Sequence, residues 1–261
     1  MTARTDFVYA QARLQARHGR LPDATAWQAL ESSRTAGHYL ALARAGPLAP
    51  WVDALDDAHD VPKVERHFRA RWRAHVNEVA AWLPAPWQAS VRWFGTLDEL
   101  PRVEALRRAG HAEPWRALDE LQRGEVAAKP APQPSPQAAG RPDQHSPAAL
   151  RALHVDGGAG TVAMRWRAEW ARRLPHGAGS DDAGLRRPAE LLLPRLLDPA
   201  GQRGADTAPA WHALQRLFRR HAATPVAVFA HLAIVALVLE RLRGGLVVRM
   251  LFDRRPVLTV P

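Results

Sequence analysis

Histidines and acidic residues on one predicted helix are the first groups in this sequence that could do chemistry, because imidazole and carboxylate groups can ligate a divalent metal. His67 and His75 share a helix face with Arg71 and Glu78. A metal-binding pair on a helix has its ligands about four residues apart and needs a third ligand nearby, whereas these histidines are about two helical turns apart. The pattern therefore predicts an exposed polar stripe and no metal site.

A second acidic group precedes Pro62. Asp56, Asp57, His59 and Asp60 could ligate a divalent ion through their carboxylate and imidazole groups. The more economical interpretation is that Asp60 caps the helix that Pro62 opens, since aspartate is favoured at the N-cap and proline in the first helical turn.

Two further features have ordinary structural interpretations. The glycine-rich loop at 157–161 could present backbone N–H groups to a phosphate, but it lacks the lysine of a P-loop and is expected to lead into a helix. His231 lies in an apolar run, and the positions one turn away, Ala227 and Val235, carry no ligand, so a core histidine is expected. No catalytic triad, paired-acid signature or cofactor fingerprint is present in the sequence, which predicts a non-catalytic protein without a metal, a cofactor or a small-molecule substrate.

The elements that must position these residues are all predicted to be helices. Apolar residues recur at three and four positions over 64–83, and strand-like alternation is scarce throughout the chain. Spaced prolines over 126–147 fix an extended backbone and remove hydrogen-bond donors, which predicts a semi-rigid or disordered linker rich in Pro, Ala and Gln. We therefore expect an all-α fold, a multi-helix bundle-like array in two lobes: a helical domain at 1–125 and a basic helical domain at 148–261.

The charge of the chain lies mainly in its second part. The formal net charge is +10, of which +1 belongs to residues 1–125 and +9 to residues 126–261. Clustered guanidinium groups can form bidentate pairs with carboxylates or phosphates and can steer an acidic partner. The alternative is that the arginines form the solvated faces of amphipathic helices, with arginine preferred to lysine through codon bias. Nucleic acid is not expected as a partner, because the sequence contains no recognisable nucleic-acid-binding motif.

Tryptophans supply a second set of possible contacts. The chain has 10 of them, and most are expected to pack in the core. Those that flank proline breaks are better candidates for an interface. Together with members of the arginine clusters, the predicted partner contacts are Trp51, Trp87, Trp93, Arg165, Arg172, Arg216, Arg220 and Arg249.

Composition also indicates a compartment. The chain contains no cysteine, which excludes disulfides and thiol nucleophiles and is compatible with a reducing compartment. Its first residues lack the apolar core of a secretory signal, and the longest apolar run, 226–239, is shorter than the roughly 20 residues that span a bilayer. We expect a cytoplasmic protein, with a peripheral position at the inner face of the membrane as an option.

The opening of the chain carries the most distinctive motif. Phe7, Tyr9, Ala12, Arg13 and Leu21 form an aromatic-x-Tyr-x-x-Ala-Arg pattern that closes on a leucine, with Tyr9 and Arg13 one helical turn apart. This pattern resembles the start of the C (or d) subunit of V-type and A-type rotary ATPases.

Two later segments are similar to the same family. Residues 94–109 resemble its arginine-rich helix, although Arg102 stands where the family pattern has asparagine, and residues 226–252 resemble its last long helices. The chain is shorter than typical members, and its polar linker replaces continuous helices.

The resemblance implies a non-catalytic coupling subunit. Family members sit on the membrane rotor ring and receive the end of the central stalk, so that torque passes between the soluble and membrane sectors during proton or sodium transport. Carried over, Phe7, Tyr9, Arg13 and Leu21 would be structural. The basic second half would face the ring or anionic lipid head groups. The alternative is a helical adaptor, or a protein that binds anionic surfaces or nucleic acid through its basic half.

Overall fold

The computed structural model describes residues 7–108, 150, 153, 161–175, 183–197 and 207–253. All regular structure in these residues is helical, which confirms the predicted all-α class. The predicted linker at 126–147 and the glycines at 157, 158 and 160 lie outside the described residues. The α-helices in chain order are α1 (Val8–His18), α2 (Ala24–Ser32), α3 (Ala36–Ala45), α4 (Ala49–Val52), α5 (Val61–Ala81), α6 (Ala85–Phe94), α7 (Leu100–Arg108), α8 (Val162–Arg172), α9 (Ala183–Leu197), α10 (Ala208–Arg220) and α11 (Pro225–Asp253), and a 3-10 helix, Gly95–Glu99, joins α6 to α7.

The chain folds into two compact units. Unit 1 contains Met1–His75 and Leu214–Pro261, and unit 2 contains Val76–Ala213. These ranges differ from the domains expected at 1–125 and 148–261. The physical reason is that α11, from the end of the sequence, packs against α1 and α3 from its beginning.

Short polar residues start several helices as expected. Asp60 accepts a hydrogen bond from the backbone N–H of Lys63 at 2.8 Å, so the N-cap interpretation of this aspartate is confirmed. Asp23 caps α2 in the same way through Ala26, and Thr161 caps α8 through Met164.

The core of unit 1 is built around α11. Its first three turns are almost completely buried, and α3 approaches it so closely that a side chain at Gly245 would lie 2.5 Å from the Tyr39 hydroxyl. By length and composition, residues 225–252 could cross a membrane, and an 18-residue window within them has a mean hydropathy of 1.9. However, 78% of the apolar window is buried inside the protein, as it is in the core helix of a soluble protein.

The core of unit 2 is aromatic. Trp93, Phe94 and Trp166 are fully buried, and the rings of Trp166 and Trp170 stack with 5.9 Å between centroids. Both buried indole N–H groups of Trp93 and Trp166 have partners: Trp93 donates to the Trp166 carbonyl at 3.2 Å, and Trp166 donates to the Thr96 hydroxyl at 2.9 Å. The indole N–H groups of Trp93 and Trp166 are therefore buried with their hydrogen bonds satisfied.

Candidate functional site

The opening motif on α1 is divided between the core and the surface. Phe7 is 4% exposed and Leu21 is half-buried, whereas Tyr9 is 58% exposed and Arg13 is also exposed. The Arg13 guanidinium lies over the Tyr9 ring, 5.5 Å from its centroid. Tyr9 and Arg13 thus differ from the structural role that the family resemblance implies: they form an outward aromatic and cationic pair, whereas Phe7 and Leu21 pack inward.

The inward face of the same helix leads to a group of histidines. Arg17 Nη1 lies 2.8 Å from His75 Nδ1 on α5, and the His18 ring stacks on Phe218 of α10 with 4.5 Å between centroids. We call His18, His75 and His231, together with Arg17 and Phe218, the histidine cluster. The ring of His231 on α11 lies 5.6 Å from His75 and 6.0 Å from Phe218.

Burial distinguishes this cluster from the predicted polar stripe. His75 is 7% exposed and His231 is 0% exposed, so the expected core position of His231 is confirmed but the exposed position of His75 is wrong. The reason is that α1, α4 and α11 all pack around this part of α5, where Trp51 meets the edge of His75 at 5.3 Å. His67 is a separate, half-buried residue whose Nε2 lies 2.9 Å from the Trp51 carbonyl oxygen.

The environment of the cluster favours neutral imidazoles. Burial lowers the pKa of His231 well below 6.5, and the nearby His75, His18 and Arg17 lower it further. Burial also lowers the pKa of His18, with a contribution from Arg219. In the part of the chain that the structure describes, neither ring nitrogen of His231 has a hydrogen-bond partner. Among the residues that the structure describes, no group of three His, Cys, Asp or Glu side chains could hold a metal ion.

The predicted tryptophan contacts are placed differently from one another. Trp93 is fully buried, with the Arg173 guanidinium 4.4 Å from its ring centroid, so it cannot contact a partner and this expectation is wrong. The three tryptophans near proline breaks include both half-buried and fully buried ones, and the sequence did not distinguish them. Trp51 and Trp87 are half-buried and keep an accessible edge.

Arg249 binds the backbone of unit 1. Its guanidinium donates to the carbonyl oxygens of Ser33 and Glu31, both at 2.9 Å, and it lies 4.5 Å above the Tyr39 ring. These carbonyls belong to the end of α2, where backbone oxygens lack helical partners. A long cationic side chain suits such a helix C-terminus, so Arg249 has a role within unit 1, and its predicted partner contact stays a prediction.

The other predicted arginine contacts fall into two groups. Arg165 donates to the Leu153 carbonyl at 3.0 Å, and Arg172 pairs with Glu169 at 2.8 Å. Arg216 and Arg220 are exposed on α10, a helix that carries no Asp or Glu. Thus the charge of the second half is neutralised in part within the protein, and α10 presents a basic face.

A cavity of about 350 Å³ lies in unit 2 between α7, α8 and α9. Glu104 at its edge accepts hydrogen bonds from both Arg107, at 2.8 Å, and Arg108, at 3.1 Å. The hydrogen bond from Arg107 is the main cause that lowers the pKa of Glu104. These groups are paired with each other across about one helical turn, an arrangement that stabilises α7.

The histidine cluster is the grouping that sequence reasoning missed. Its three histidines come from positions 18, 75 and 231, on three helices that no sequence spacing relates. The one signal was a histidine within the apolar run of α11. Comparison of the chain with protein-family models, curated proteins and solved structures finds no match.

Proposed function

We propose that this chain is a non-catalytic coupling subunit of a V/A-type rotary ATPase, linking the rotating central stalk to the membrane ring during proton or sodium transport. The observation that carries the proposal is the packing of the two terminal segments with family resemblance. Gln11 Oε1 of α1 accepts a hydrogen bond at 3.1 Å from the backbone N–H of Ala223, which is 212 residues away in the turn before α11, and α1 also packs against α11. The two segments therefore form parts of one folded unit, which supports the proposal.

The outward pair of α1 supports a role in contact. Tyrosine and arginine are enriched among the residues that dominate binding energy at protein interfaces. Tyr9 and Arg13 combine both types on α1, whose other face is buried in unit 1 through Ala10, Gln11 and Leu14. We assign them to the surface that meets a stalk or ring subunit.

The basic face of α10 supports a position next to anionic groups. Arg216 and Arg220 lie on a helix without carboxylates, and clustered arginines are attracted to acidic loops or lipid head groups. This face suits a protein that works in the cytoplasm at the inner side of the membrane.

A second candidate function rests on the same α10 face. A helical adaptor, or a protein that binds anionic surfaces or nucleic acid, would use Arg216 and Arg220 without any rotary machine. Internal pairing weakens this alternative, because Arg172 and Arg241 form ion pairs with Glu169 and Glu31, and Arg249 bonds backbone carbonyls.

The test is co-purification of the tagged chain from gently solubilised membranes of its host. We expect the wild type to recover stalk and ring subunits, and a Tyr9→Ala/Arg13→Glu double variant to recover about tenfold less, since an interface hot spot contributes about 1.4 kcal/mol or more. Arg34→Glu is the matched control, because Arg34 is also exposed in unit 1 but lies outside α1.

Three results would decide between the candidates. Equal recovery by the double variant would remove α1 from the interface, and recovery of no ATPase subunit by the wild type would contradict the coupling role. Binding of the wild type to nucleic acid or anionic vesicles, with affinity that falls steeply as salt is added, would favour the second candidate.

A further inference from the structure

The histidine cluster collects cationic and titratable groups from three sides of one buried imidazole. His231 on α11 faces His75 from α5, His18 and Arg17 from α1, and the uncharged Phe218 from α10. Each charged or titratable group in this set is a base. Protonation of His231 would therefore place a buried cation close to the permanent charge of Arg17, and among the described residues no carboxylate contributes to the charges that act on it.

Protonation of His231 is opposed by two physical effects. A fully buried imidazolium loses its hydration, and the neighbouring bases repel the new charge. None of the described residues offers His231 a hydrogen-bond partner that could offset this cost. The packed arrangement of α1, α5, α10 and α11 thus requires that His231 remain neutral.

The turn between α10 and α11 is a strained connection next to the cluster. Ala223 has a φ of 58°, in the left-handed region that favours glycine. Its backbone N–H is held by Gln11 of α1, and the neighbouring Thr224 hydroxyl donates to the His221 carbonyl at 2.7 Å. Contact with α1 therefore stabilises a turn conformation that alanine alone disfavours.

We propose that the histidine cluster is a pH-sensitive latch, which holds α1 and α10 against α11 at neutral pH and releases them as the medium acidifies. The latch is inferred from the geometry of unit 1, and it does not depend on the proposed coupling role. Because α1 carries the outward Tyr9 and Arg13, release of α1 would also withdraw that pair from any partner.

The direction of the effect follows from proton linkage. In the released state His231 has its ordinary pKa of 6.5, and in the packed state burial holds the pKa far lower. Between these two values the released state binds one more proton, so acidification favours release. Each linked proton raises the ratio of released to packed molecules about tenfold per pH unit. Above about pH 7 this contribution disappears.

The experiment is amide hydrogen exchange followed by mass spectrometry on the full chain, at several pH values between 7.5 and 5. Exchange rates are divided by the intrinsic rate at the same pH, which removes the pH dependence of the chemistry itself. We expect protection in 8–18 and 214–220, the parts of α1 and α10 that belong to unit 1, to fall about tenfold per pH unit below 6.5, while protection in 162–172 of unit 2 stays constant.

Matched variants test whether His231 is responsible. His231→Gln cannot become cationic and should reduce the loss of protection to less than half of the wild-type loss on a logarithmic scale. His38→Gln removes an exposed histidine of unit 1 and should behave like the wild type. If His231→Gln does not fold, NMR titration of the wild-type imidazole signals replaces it: one imidazole should stay neutral well below pH 6.5 and titrate together with the loss of protection in α1.

Several outcomes would overturn the latch. If protection in 8–18 stays constant from pH 7.5 to 5, or if protection falls equally in both units, acidification does not release α1 selectively. An unchanged fall in His231→Gln, or an NMR titration in which every imidazole signal has an ordinary midpoint, would assign the effect to other groups.

Discussion

Two sets of buried polar groups, one in each unit, are placed in different surroundings. In unit 2, the buried indoles of Trp93 and Trp166 have hydrogen-bond partners, and Glu104 and Glu169 each pair with two arginines. In unit 1, His231 is completely buried; among the residues that the structure describes, its ring nitrogens have no hydrogen-bond partner and the charged groups that lower its pKa are bases. Pairing therefore favours one arrangement of the first set, whereas protonation of His231 works against the packing around it.

This contrast has a consequence for pH dependence. Pairing lowers the pKa of Glu104, so its contribution to stability is complete above its ordinary value of 4.5 and is lost as the pH falls through its lower folded value. Burial lowers the pKa of His231, so unit 1 loses stability once the pH falls below 6.5. As the medium acidifies, unit 1 is therefore affected first.

The substitution with the largest expected effect disrupts the packing of unit 2. Trp166→Ala removes a fully buried ring that stacks on Trp170 and donates to Thr96, and should reduce the free energy of unfolding by about 3–5 kcal/mol. Urea denaturation at pH 7.5 and 6 measures this loss, which should be the same at both values because no histidine lies among these contacts. Trp87→Ala, at a half-buried position, serves as the control and should cost clearly less. An equal cost in the two variants would contradict the central role of Trp166.

A smaller effect tests the paired charges. Glu104→Gln keeps the shape of the side chain but weakens its hydrogen bonds to Arg107 and Arg108, and should cost about 1.5 kcal/mol at neutral pH. The difference from the wild type should begin to shrink as the pH falls below 4.5, because the carboxylate of the unfolded wild-type chain then takes up a proton, and it should be lost once the folded carboxylate is protonated as well. Denaturant unfolding at pH 7 and pH 3.5 measures both values. A difference that does not change with pH would show that packing, and not charge, stabilises this position.

The helical class of the fold was predictable from local patterns. Asp60 before Pro62 marked a helix start, and three- and four-residue spacing of apolar positions marked α5, because both signals depend on residues close in sequence. The division into units was not predictable in this way. It depends on α11 packing against α1 and α3, and composition along the chain carries no information about such long-range contacts.

The same limit applies to the candidate site. Arg249 and Arg216 look alike in sequence, since both belong to arginine clusters on predicted helices. Arg249 donates hydrogen bonds to carbonyls at the end of α2, whereas Arg216 is exposed. This difference depends on which helices lie next to each arginine in the fold, and not on the local sequence. The histidine cluster needs three helices to meet, so no spacing rule could reveal it.

The smallest effect concerns the strained turn of unit 1. In the residues that the structure describes, Ala223 is the one non-glycine residue with a positive φ. Ala223→Gly removes the clash of Cβ but increases the freedom of the unfolded chain, so the net gain in the free energy of unfolding should be only about 0.5 kcal/mol. Ala74→Gly, on the exposed face of α5, is the control and should lose about 1 kcal/mol, because its backbone is helical. Urea denaturation of both variants measures whether each substitution raises or lowers the free energy of unfolding. A loss in Ala223→Gly would mean that the turn carries no strain, whereas a gain with an unchanged response to acid would assign the pH sensitivity of unit 1 to its histidines alone.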